Sequence, residues 1–112
     1  MGMKILVLTE TDACCGPMAA AFLRDYSPSL EVVSAGRNAF DSIDPLAVTV
    51  MRECLVDLLG YVPLDAKSLN EQAFDAVYSF SEPTCENSIN AYREMRDGVK
   101  NNAYLFFRNL NF

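Results

Sequence analysis

Apolar positions change their period several times along this chain. Lys4 is followed by Ile5-Leu6-Val7-Leu8, a short continuous apolar run of the kind that forms a strand buried on both faces. From Met18 to Tyr26 the period becomes helical: Met18, Ala21, Phe22 and Tyr26 share one stripe, and Pro17 suits the first helical position. Ser27-Pro28-Ser29 breaks that helix and leaves Leu30 to Ser34 as a second strand. Asp44 and Pro45 form an N-cap and first-turn proline for a second helix, in which Leu46, Val50 and Cys54 recur at helical spacing. Gly60 and Pro63 interrupt the apolar pattern between Leu55 and Lys67, which reads as a connection. Ser68 and Glu71 have the spacing of a capping box for a short helix. Ala76 to Phe80 is rich in strand formers, and Pro83 opens a third helix running towards Met95. Asp97-Gly98 and Asn101-Asn102 carry turn chemistry, so the aromatic run Ala103 to Phe107 reads as a fourth strand.

Strands alternating with helices predict an α/β fold, with a parallel sheet, right-handed crossovers and helices on both faces. A chain of 112 residues is the length of one domain, here residues 1–112, burying about two-thirds of its unfolded surface. In such folds ligands meet the carboxyl ends of the strands, where the amino terminus of a helix offers unpaired amides and a positive dipole end. The turn after the first strand is therefore the candidate ligand-binding site: Thr9, Glu10, Thr11, Asp12, Ala13, Cys14, Cys15 and Gly16.

Composition narrows the choice of ligand. The net charge is −6 and no cluster of Lys and Arg interrupts the acidic balance, which excludes nucleic acid and anionic membrane surfaces as partners. No apolar run approaches the roughly 20 residues that span a bilayer, and the first residues lack the h-region and cleavage site of a secretory signal, so a cytoplasmic location is expected. The four cysteines, at 14, 15, 54 and 85, form no CxxC pair and the chain contains no His, so neither a metal nor any other cofactor is expected. Cys54 and Cys85 read as inert helix residues, Cys54 on the buried stripe.

Lys4-Ile-Leu-Val-Leu8, an eight-residue turn and Pro17-Met18-Ala19 resemble the start of the low-molecular-weight protein tyrosine phosphatases and the thioredoxin-coupled arsenate reductases. Ser34-Ala35-Gly36, Asp44 to Met51, Lys67-Ser68-Leu69, Phe74 to Val77 and Glu86-Asn87 extend the resemblance over nearly the whole chain, towards the reductase branch in particular. It implies a three-layer, phosphotyrosine protein phosphatase I-like fold with four parallel strands in the order 2-1-3-4. The family's loop is Cys, five residues, then Arg. Counting back from Pro17 puts Thr9 at the nucleophile and Cys15 at the arginine, so this is a degenerate version of the loop.

A thiolate attacks phosphorus or arsenic near neutral pH, whereas a threonine hydroxyl needs an adjacent base that the sequence does not supply. The arginine clamps the oxyanion through charge-assisted bonds of about 1.5–3 kcal/mol each, which neutral Cys15 does not replace. Glu10 and Asp12 are expected to set two carboxylates against an incoming anion. Ser81 and Ser88 stand where the reductase relay cysteines would be. No counterpart of the family's general-acid aspartate appears before Phe112, so the C-terminus reads as shortened, without a closing helix and with apolar surface that favours self-association as a homo-oligomer. Two classes of function remain. One is a catalytically inactive relative that binds a protein partner or small ligand as a binding or regulatory module. The other is a thiol-dependent enzyme with altered chemistry at Cys14 or Cys15.

Overall fold

In the computed structural model, which describes residues 2–110, the first strand β1 (Lys4–Thr9) is the centre of the molecule. It pairs in parallel with β2 (Glu31–Gly36) on one side and β3 (Ala76–Ser79) on the other, giving a sheet of order β2-β1-β3. Alternate side chains of a strand point to opposite faces, and both faces of β1 are covered, which explains its unbroken apolar run. Ile5 and Val7 face the main core, built with α1 (Cys15–Tyr26), α2 (Pro45–Arg52) and α3 (Ile89–Arg108). Leu6 and Leu8 face a smaller cluster in which Leu64, Ala66, Leu69 and Phe74 cover the sheet. The α-helices therefore share one main core, while the opposite face is closed by an irregular segment rather than by the expected helix layer.

That segment holds two 3₁₀ turns, Ala66–Ser68 and Glu71–Ala73. The expected Ser68–Glu71 capping box does not form. Asp65 caps the first turn by accepting from the Lys67 amide at 2.9 Å, and Asn70 caps the second by accepting from the Gln72 amide at 3.1 Å. Asp44 does cap α2, accepting from the Leu46 amide at 2.9 Å ahead of Pro45. α1 begins at Cys15, two residues before Pro17.

The fourth strand is the main correction. Asp97-Gly98, Asn101-Asn102 and Ala103 to Phe107 all lie inside α3, so the described residues form three strands, not four. The turn-forming dipeptides are overruled by a longer pattern: Tyr92, Met95, Val99, Ala103, Phe106 and Leu110 recur every three or four residues and pack as one stripe on the main core. The third helix starts at Ile89, capped by the Ser88 hydroxyl accepting from the Ala91 amide at 3.2 Å, and not at Pro83. Phe106 stacks on Tyr78 of β3 with ring centroids 4.4 Å apart, so the aromatic run read as a strand instead covers one. α3 thus covers apolar surface that the sequence left open. At its start, Arg93 and Arg96 grip Glu53 just beyond α2, at 2.7 and 2.8 Å, and hold that carboxyl down to about 2.

Candidate functional site

The first loop is shaped by hydrogen bonds on one of its sides. The carbonyls of Thr9, Glu10, Thr11 and Ala13 accept from the amides of Arg37, Asn38, Phe40 and Asp44 at 2.8–3.0 Å. Its carbonyls thus face the β2–α2 connection. Gly36 permits this close approach: a Cβ there would lie 2.8 Å from the Thr11 carbonyl carbon and 2.9 Å from the Asp12 nitrogen.

Asp12 turns the loop back. Its φ is +53°, in the left-handed region that Asp and Asn tolerate better than most residues, and it is fully buried. Its Oδ2 accepts from the Tyr61 hydroxyl and from the Leu64 amide at 2.9 Å, while Tyr61 and Ser34 share a 2.7 Å hydrogen bond. Its Oδ1 is buried with no partner among the described residues. Desolvation raises the Asp12 pKa, against the lowering effect of the bonds from Tyr61, Leu64 and Ser34. Burial, and then the bond to Asp12, push the Tyr61 phenol up.

Thr9, at the expected nucleophile position, is also fully buried, and its Oγ1 accepts from the Asp12 amide at 3.3 Å. A Cβ on Gly16 would lie 2.7 Å from that oxygen and 3.2 Å from Asp12 Oδ1, so the helix start is pressed against both side chains. Glu10 accepts from the Asn38 side chain. Neither carboxylate expected to face an incoming anion lines the cleft: Glu10 is hydrogen-bonded to Asn38, and Asp12 to Tyr61 and Leu64. A different acid meets the loop: Glu82 Oε1, from the chain just after β3, accepts from the Thr11 amide at 2.9 Å and the Thr11 hydroxyl at 2.8 Å.

Over the loop lies a cleft of about 480 Å³. Of the eight candidate residues, Thr11, Ala13, Cys14 and Cys15 line it; Thr9, Glu10, Asp12 and Gly16 do not. The other walls come from the β2–α2 connection (Phe40, Ile43, Asp44), the chain after β3 (Glu82, Cys85) and α3 (Tyr92, Met95). No Lys or Arg lines it. Asp44, besides capping α2, accepts from the Tyr92 hydroxyl, whose pKa it pushes up.

The cleft opposes thiolate formation at two of its three cysteines. The hydrogen bond with Cys15 raises the Cys14 pKa first, then burial, then the charges of Cys15, Asp44 and Glu82. Burial pushes Cys85 up, followed by Cys15, Glu86 and Asp44. Cys85 borders the cleft from an irregular segment instead of lying in a helix, and Cys54 is half-buried beyond the end of α2 rather than on its buried stripe. Ser81 is exposed, and Ser88 serves as the cap of α3. Among the described residues no group of three Cys, Asp or Glu is arranged to hold a metal ion, and no helix is long and apolar enough to cross a membrane. Sequence reasoning missed Glu82, Cys85 and Tyr61. The available signal for the first two was their position just past a parallel strand, where side chains reach the crevice at the strand ends.

No protein-family model and no curated protein sequence matches the chain. Solved structures do. An arsenate reductase in a phosphate-binding state superposes with a TM-score of 0.84 at 18% identity, covering 99% of this chain and 100% of that one. The tyrosine phosphatase Wzb from Escherichia coli K30, in complex with sulphate, gives 0.81 at 18% identity, covering 99% and 100%. The YwlE arginine phosphatase from Geobacillus stearothermophilus gives 0.76 at 19% identity, covering 95% and 91%. By these superpositions over nearly the whole chain, this chain has the fold of the arsenate reductases and low-molecular-weight tyrosine phosphatases.

Proposed function

We propose that this chain is a catalytically inactive relative of the arsenate reductases and low-molecular-weight tyrosine phosphatases. It acts in the cytoplasm as a binding or regulatory module, with the cleft over the Thr9–Gly16 loop as its recognition site. The observation that carries this reading is the composition of the cleft wall: Asp44 and Glu82 are present, no cation is, and Cys14 is held protonated. Acyl, phosphoryl and arsenyl transfer all develop negative charge, and enzymes meet it with positively charged groups or convergent donors in a dry site. Here the developing charge would face two carboxylates.

Thr9 supports the same reading. Its hydroxyl is buried beneath the loop, accepts from a backbone amide and lies away from the cleft lining, so it has no access to substrate. The four unbridged cysteines fit a reducing compartment.

The pH dependence of alkylation tests this reading. Labelling the intact chain with a haloacetamide and reading each cysteine by peptide mass should show Cys14 reacting only above the ordinary thiol range of about 8.5. Labelling of Cys14 or Cys15 with an apparent pKa below about 7 would instead support the thiol-dependent enzyme.

A further inference from the structure

The cleft over the first loop continues past the irregular segment that joins β3 to α3. A second cavity, of about 510 Å³, is lined by Thr84, Glu86 and Glu94 and shares Pro83, Cys85 and Met95 with the cleft. The two form one trough, with carboxylates from three parts of the chain: Asp44 from the β2–α2 connection, Glu82 and Glu86 from the segment after β3, and Glu94 from α3. Among the described residues no Lys or Arg lines either part, and Arg93 and Arg96 of α3 are held by Glu53. The cysteines register the field of these acids. After the hydrogen bond with Cys15 and burial, the charges of Cys15, Asp44 and Glu82 raise the Cys14 pKa; after burial, those of Cys15, Glu86, Asp44 and Glu94 raise that of Cys85. Much of the remaining wall is apolar, including Phe40, which is 60% exposed.

We propose that this trough binds an aliphatic polyamine, with ammonium groups facing Asp44 and Glu82 in the cleft and Glu86 and Glu94 beyond it, and with its methylenes on the apolar wall. The proposal rests on the reading of the cleft as a recognition site. Charge complementarity selects a cation, and the hydrogen bonds already present select its kind. Glu82 Oε1 accepts from both the amide and the hydroxyl of Thr11, while Oε2 accepts from no group among the described residues. A guanidinium fork needs both oxygens of one carboxylate, whereas an ammonium directs a single N–H at one. Asp44 accepts once at each oxygen, from the Leu46 amide and the Tyr92 hydroxyl, and keeps a lone pair on each. A partly exposed ion pair alone strengthens binding only about fivefold at most, so several carboxylates along an apolar trough favour several ammonium groups on one flexible stem.

The test is a titration of the intact chain with butylamine, putrescine and spermidine, which carry one, two and three amines, followed at the backbone amides by ¹⁵N NMR. It is run at neutral pH and physiological ionic strength, where pairing between scattered surface charges is screened. The amides of Ala13 to Cys15 and of Cys85 and Glu86 should shift saturably, with affinity rising about fivefold for each added amine. Asp44→Asn, which keeps the cap of α2, and Glu82→Gln, which keeps an acceptor for Thr11, should each weaken putrescine binding about fivefold. Agmatine, with a guanidinium in place of one ammonium, should bind less tightly than putrescine. Equal affinity for butylamine and spermidine, shifts spread over the surface without saturation, a variant that binds putrescine as the wild type does, or agmatine binding at least as tightly as putrescine overturns the proposal. Should a variant not fold, the amine series on the wild type decides alone. The non-catalytic reading fails on a different result, turnover of a phosphate ester by the wild type, and it stands whether or not the amines bind.

Discussion

Asp12 is the residue on which the shape of the loop depends. A left-handed backbone, a buried carboxylate and two inward hydrogen bonds coincide there, and Oδ1 has no partner among the described residues. Because burial raises its pKa in the folded protein, folding favours the protonated form. The stability tied to this group is fully present below the unfolded carboxylate value of about 3.9, and is lost as pH rises through the higher folded value. Asp12→Asn keeps the tolerance for positive φ and an acceptor for Tyr61 and Leu64, and it carries no charge. Urea unfolding should therefore show this variant losing the fall in stability between acid and neutral pH, and equalling or exceeding the wild type at pH 7. Asp12→Ala strands the Tyr61 hydroxyl and the Leu64 amide and strains the corner, at a cost of about 2–5 kcal/mol. If Asn and Ala are equally destabilising, the unpartnered oxygen is not the source of the effect.

At the scale of elements, the parts legible in the sequence were those with one dominant signal. The buried run at Ile5 to Leu8 gave β1, Asp44-Pro45 gave the start of α2, and the Ser27–Ser29 break separated α1 from β2. α3 was misread because two signals conflicted: local turn chemistry at residues 97–98 and 101–102, against an apolar stripe of helical period from Tyr92 to Leu110. Tertiary packing decided for the stripe. The conflict leaves a measurable trace. Gly98 sits inside α3 with nothing within 4 Å of where a Cβ would be, so Gly98→Ala adds helix propensity without a clash. It should stabilise the protein by about 0.5–1 kcal/mol in chemical denaturation. A loss of stability would mean that residues 97–102 do not hold a continuous helix.

At the scale of the whole molecule, the fold decides where the crevice lies and the side chains decide what it holds. The position of the crevice was legible, because a strand–loop–helix start places it at the carboxyl edge of a parallel sheet whatever the loop contains. Its contents were not. Glu82 and Thr11 are 71 residues apart and meet only because β3 lies beside β1, while the burial of the Asp12 carboxylate accompanies a left-handed φ that residue type does not dictate. The carboxylates that line the crevice belong to Asp44 and Glu82.

The central claim is that the protein keeps the fold of its structural relatives without their reaction. Steady-state turnover of an aryl phosphate by the intact, reduced wild-type protein, with Cys14→Ser and Cys15→Ser run beside it, tests that claim most directly. No release of phenol above the uncatalysed rate, and no difference among the three proteins, is the predicted result. Saturable turnover by the wild type that disappears in either variant would contradict it.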